Sequence, residues 1–136
     1  METTVVNEMI GKTFDNVYTK DMEELVFVSE RETFTFYHDR DCCEDVHIND
    51  ICGDLADLEG SPLIQAEFVS EDGTDPAYES STWTFYKFST VKGSVTVRWF
   101  GSSNGYYSED VDLLIERKVG VGHELIYDTT NKRFDS

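Results

Sequence analysis

The sequence predicts a β-dominated α+β fold: a curled antiparallel sheet, or a small barrel or sandwich, with one short amphipathic helix. Three observations predict it. Short runs rich in β-branched and aromatic residues recur along the chain, turn-forming residues separate them, and only one interior segment has helical spacing.

Taken in order, Thr13 to Thr19 is the first strand candidate, with Phe14 and Tyr18 an even number of positions apart. Glu24 to Ser29 is apolar and β-branched, and Glu32 to Tyr37 alternates Thr33 and Thr35 with Phe34 and Phe36, the period-2 pattern of a half-buried strand. The polar tetrad Ser29-Glu30-Arg31-Glu32 reads as the turn between them. The helix candidate is Asn49 to Glu59, where Ile51, Leu55 and Leu58 fall at i, i+4 and i+7 and Asp50, Asp54 and Asp57 share the other side. Asn49 can cap its start, Gly60 can close its end, and Pro62 blocks resumption.

Leu63 to Val69 is the next strand candidate and Glu71 to Ser81 a surface loop. A three-strand meander is expected from Trp83 to Phe88, Ser94 to Phe100 and Tyr106 to Ile115. Lys92-Gly93 marks its first turn, and Ser102-Ser103-Asn104-Gly105 its second, with Asn-Gly read as a tight hairpin. Val95, Val97 and Trp99 share a face that can meet Val111, Leu113 and Ile115, which leaves Arg98 on the opposite face. Val119 to Ile126 reads as a final edge strand. The 136 residues read as a single domain with its core in about 11–116, and with 1–10 and 128–136 as fraying ends.

Hydrophobic residues form 39% of the chain and aromatics 13%, enough to argue against wholesale disorder. No apolar run approaches the ~20 residues of a membrane-spanning helix, and the first eight residues lack the pattern of a signal peptide. Three cysteines would leave one thiol over from any disulfide framework, which fits a reducing cytosol. A cytoplasmic location is therefore the expectation.

Charge is the most informative bulk property: 28 acidic against 11 basic residues give a net −17. Between His38 and Glu79 thirteen acids face one base, Arg40, so this stretch alone carries −12. Such a field repels nucleic acid and membrane surfaces and attracts basic protein surfaces or cations. The plainer reading is that acidity serves solubility. If the charge serves binding, the partner-binding acidic face comprises Asp39, Asp41, Glu44, Asp45, Asp50, Asp54, Asp57 and Glu59, with 67–79 adding to it.

The cluster His38-Asp39-Arg40-Asp41-Cys42-Cys43-Glu44-Asp45-Val46-His47 holds the residue types that bind metals, but not the spacing that closes a tetrahedral site. Adjacent cysteines on an extended chain point to opposite faces, so one is expected in the core and one at the surface. Acidic neighbours raise a thiol pKa, which argues against a cysteine nucleophile. No phosphate-binding loop, nucleophile elbow or zinc-protease motif is present, and no cofactor is implied. The run from Trp99 to Glu109 gathers aromatic and polar groups around one loop, and Asn104, Tyr106 and Tyr107 are its candidate recognition residues.

His38-Asp39-Arg40-Asp41-Cys42-Cys43-Glu44, Asp50-Ile51-Cys52-Gly53-Asp54-Leu55, Thr82-Trp83-Thr84-Phe85-Tyr86-Lys87 and Ser103-Asn104-Gly105-Tyr106-Tyr107-Ser108 carry a resemblance. In this order they make the span from Gly11 to Ile115 similar to a family of small, acidic, uncharacterised bacteriophage and prophage proteins. The resemblance implies a non-enzymatic accessory protein of the kind that inhibits host machinery, including defence inhibitors that mimic nucleic acid. The expected partner is a host protein with a basic surface, such as a nuclease, with no direct binding of nucleic acid or membrane. The alternative is a small-ligand or metal-binding protein, such as a sponge for a nucleotide signal, using Arg98 or Lys87 to meet phosphate.

Overall fold

The computed structural model describes residues 3–40, 42–120 and 122–128. A short helix, α1 (Thr3–Asn7), precedes nine strands: β1 (Asn16–Lys20), β2 (Glu24–Val28), β3 (Glu32–Tyr37), β4 (Asp45–Cys52), β5 (Gln65–Asp72), β6 (Ser80–Thr90), β7 (Gly93–Ser103), β8 (Asp112–Lys118) and β9 (His123–Asp128). They form two antiparallel sheets, five-stranded β1-β2-β3-β8-β9 and four-stranded β4-β7-β6-β5. The fold is β-dominated, as the sequence predicts.

The sheets meet through the alternating apolar positions of their strands. Phe27 packs on Phe88 and Phe36 on Tyr86, each pair with ring centroids 4.8 Å apart. Val95, Val97 and Trp99 of β7 share one buried cluster with Val111, Leu113 and Ile115, as their parity requires. The N-terminal segment, expected to fray, instead lays α1 against β5 and buries Val6 and Met9 completely. Of residues 128–136, also expected to fray, Asp128 is paired with Leu114 in β9 and 129–136 lie outside the described part.

Two expectations need correction. Asn49 to Glu59 is not an amphipathic helix, because β4 runs through Cys52 and only Leu55–Leu58 forms a single 3-10 turn. Gly53 adopts φ +115°, which no helix accommodates, and Asp54 then caps the turn by accepting from the Ala56 N–H at 3.0 Å. Asn104-Gly105 does not close a hairpin either. Strand β7 pairs with β4 and β6, whereas β8 pairs with β3 and β9, so residues 104–111 cross between sheets. The meander is β5-β6-β7, with Val91-Lys92 as its tight turn before Gly93.

A second crossover, residues 38–44, leads from β3 to β4, and the two crossovers are tied together. His38 Nδ1 lies 2.8 Å from the Asp110 carbonyl, and the Asp39 N–H donates to Asp112 Oδ2 at 2.9 Å.

Candidate interaction face

Strand alternation sends half of each strand of the four-stranded sheet away from the core. On β5 and β6 the inward pairs are Ala66 with Phe88 and Phe68 with Tyr86, so Glu67, Val69 and Glu71 face outward beside Lys87, Phe85 and Trp83. On β7 the inward Val97 and Trp99 leave Arg98 and Phe100 outward. On β4 the inward Val46 and Ile48 leave Asp45 and His47 outward, and a register shift between Ile48 and Asp50 puts Asp50 on the same outer side, opposite Arg98.

The register assembles these side chains into two adjacent rows across the sheet. One runs Glu71, Trp83, Phe100, His47, and the next runs Val69, Phe85, Arg98, Asp50. Trp83 and Phe100 have centroids 4.5 Å apart, and His47 and Phe100 6.3 Å. The 73–79 loop folds back so that Tyr78 meets Phe100 edge-on at 5.1 Å. A turn at Asp75 sets this up: its carboxylate accepts from the Ala77 N–H at 2.9 Å and its carbonyl from the Tyr78 N–H at 3.2 Å.

Charge is arranged around these rings. The Arg98 guanidinium sits over the Trp83 ring, 5.1 Å from its centroid, with one nitrogen 3.7 Å from Asp50 Oδ2. Asp45, Asp50, Glu71 and Asp75 are all exposed at the margins of the aromatic group. Asn49, Asp75, Tyr78, Trp83 and Phe100 line a cleft of about 240 Å³. The face can therefore bury aromatic area and meet positive charge at the same time.

The predicted acidic residues differ in burial. Asp45, Asp50 and Asp54 are exposed, and Asp41 lies outside the described residues. Glu44, expected on the partner-binding face, is fully buried: Oε2 lies 3.0 Å from His38 Nε2, and Oε1 accepts from the Cys42 N–H at 2.9 Å. Its carboxylate fixes the 38–44 crossover and cannot reach a partner. Asp39 is half-buried beside Asp112.

Asp57 and Glu59 are also half-buried and, with no helix present, share no outer helix face with Asp54. The Asp57 carbonyl accepts from the Thr90 hydroxyl, and Glu59 Oε2 accepts from the Val17 N–H at 2.9 Å. In the 104–111 crossover Tyr106 is 90% exposed, Tyr107 is half-buried, and Asn104 Oδ1 accepts from the Tyr106 N–H at 3.0 Å.

Cys42 and Cys43 correct another expectation. Both are exposed and joined to each other in a disulfide, with Cys52 as an exposed free thiol. The pair sits in a crossover and not in a strand, so strand alternation does not separate its side chains. Among the described residues no group of three or more His, Cys, Asp or Glu is placed to hold a metal ion, and no helix is long and apolar enough to cross a membrane.

Sequence reasoning missed the outward aromatics Trp83, Phe85 and Phe100. The signal was present: Trp83 to Phe88 carries rings at both parities, and Phe100 shares the parity of Arg98. No curated protein and no solved structure matches the chain. The model of the family described as a domain of unknown function (DUF7448) matches residues 7–113, most of the length of this 136-residue chain, and the chain belongs to that family.

Proposed function

We propose that the protein is a binding module whose outer four-stranded face takes a basic surface of another protein. The observation that carries this reading is the pair of cross-strand rows: Trp83, Phe85 and Arg98 at the centre beside the buried Phe100, with Asp45, Asp50, Glu71 and Asp75 at the margins. Trp, Tyr and Arg are the residues that dominate binding energies at interfaces, and a carboxylate rim on a chain of net charge −17 selects for a cationic partner. The resemblance to phage and prophage proteins supports placing this activity in the bacterial host cytoplasm. There the protein is an accessory factor that binds, and thereby inhibits, a host protein with a basic surface such as a defence nuclease.

The test compares the wild-type protein with the variant Asp45→Asn/Asp50→Asn/Glu71→Gln. From host lysate at low salt the wild type is expected to retain a basic, nucleic-acid-binding protein. The variant is expected to lose it, and so is the wild type at high salt, because exposed charges are screened beyond roughly 8 Å at physiological ionic strength. Equal retention by both proteins at all salt concentrations sinks the reading.

A different observation favours the alternative, an anionic small ligand such as a nucleotide signal. Lys12, Arg31, Arg117 and Lys118, with Glu32, line a cleft of about 600 Å³ against the sign of the whole molecule. A nucleotide-dependent rise in melting temperature, lost on Arg31→Ala/Arg117→Ala, supports this alternative.

A further inference from the structure

We infer that the cleft formed by Asn49, Asp75, Tyr78, Trp83 and Phe100 is a receptor for a single organic cation: the side-chain ammonium of a partner's lysine, free or methylated. The inference rests on the reading of the outer face as a binding surface and names the chemistry by which that face selects its partner.

The lining of the cleft supports it. Three aromatic side chains converge on one opening, with Tyr78 and Trp83 each within 5.1 Å of Phe100, which forms its floor at 8% exposure. Aromatic faces carry negative electrostatic potential and attract ammonium groups, the more so when these are partly desolvated. The Arg98 guanidinium beside the Trp83 ring has Asp50 Oδ2 3.7 Å away, a carboxylate that offsets its charge next to the cleft. The Asp75 carboxylate lies at the margin of the cleft, supplying the counter-charge that an aromatic box alone lacks.

Size narrows the ligand. At about 240 Å³ the cleft falls below the roughly 300–1,000 Å³ of sites for drug-sized molecules and suits one side chain. Position narrows it further. Glu71 pairs with Trp83 across the ladder and Asp50 follows Asn49 in the chain, so two lining residues have carboxylate neighbours.

The experiment titrates the protein with three short peptides identical except at one position: lysine, trimethyllysine, or the neutral analogue with carbon in place of the quaternary nitrogen. Trp83 fluorescence is the reporter, because Trp99 is sealed in the core at 1% exposure. The trimethyllysine peptide is expected to bind at least about tenfold more tightly than its neutral analogue. Tyr78→Ala should lose about tenfold in affinity, and Asp75→Asn a few-fold. Tyr78 sits on an exposed loop, so its removal spares the core, and melting and circular dichroism verify that the variant is folded.

Equal binding of the cation and its neutral analogue overturns the inference, as does undiminished binding by folded Tyr78→Ala or no binding at millimolar peptide. If Tyr78→Ala still retains the basic partner of the wild type, the cleft assignment falls and the wider reading stands. If the peptides bind as expected and lysate yields no basic partner, the cleft assignment stands and the wider reading falls.

Discussion

The His38–Glu44 pair shows how one buried carboxylate sets a chain path. Glu44 is inaccessible to solvent and His38 nearly so, and both imidazole nitrogens face oxygen acceptors, Asp110 O and Glu44 Oε2. The imidazole thereby ties the buried carboxylate to the backbone of the second crossover. Removing the ring strips Glu44 of a donor and the Asp110 carbonyl of its partner. His38→Ala is expected to lower unfolding stability by about 3 kcal/mol in urea titrations, and a loss below about 0.5 kcal/mol would show that the pair contributes little. Nearby, Tyr86 is held as a neutral phenol: burial, and then the Asp112 and Asp110 carboxylates, push its pKa well above the ordinary value. A cluster whose composition suggested a cation site thus serves to join two crossovers.

Among the elements, the join from β4 into the 3-10 turn shows where sequence periodicity misleads. Ile51, Leu55 and Leu58 satisfy helical spacing, yet Ile51 belongs to strand β4, and Leu55 and Leu58 belong to a turn packed under β6 and β7. What decides the matter is Gly53, whose positive φ lies where side chains are disfavoured and whose missing Cβ would stand 2.5 Å from the Ser94 carbonyl oxygen. Gly53→Ala combines backbone strain with that clash and is expected to cost about 2 kcal/mol, read as a lower melting temperature. A neutral outcome would mean that the turn relaxes freely.

The strands themselves were legible wherever alternation was clean. Glu32–Tyr37 forms β3 as expected, and the parity of β7 correctly divided Trp99 from Arg98. The outer aromatic face was hidden because β6 bears large rings on both sides, which erases the polar–apolar contrast that reveals orientation. Glu44 was assigned to the acidic face for a related reason, since counting carboxylates along the chain does not tell a buried acid from a free one.

The whole molecule is a sandwich whose larger sheet is completed by the two ends of the chain. Strands β1 to β3 come from the beginning and β8 and β9 from the end, and the entire four-stranded sheet is inserted between them. Non-local pairing of this kind places folding in the millisecond-to-second range. The β5-β6-β7 meander, built from neighbouring hairpins, is expected to gain amide protection before the β3–β8 ladder in pulsed hydrogen exchange; simultaneous protection would refute that order. Synthesis adds a delay of its own. Tyr37 and Asp112, partners across the joint, are separated by 75 positions (112 minus 37), so at roughly 5–20 residues per second a ribosome needs about 4–15 s between them. For those seconds the nascent chain presents β3 as an open edge with its ladder partner still unmade. Chaperone holding, and not only the finished fold, is thus part of what this topology requires of the cell that makes it.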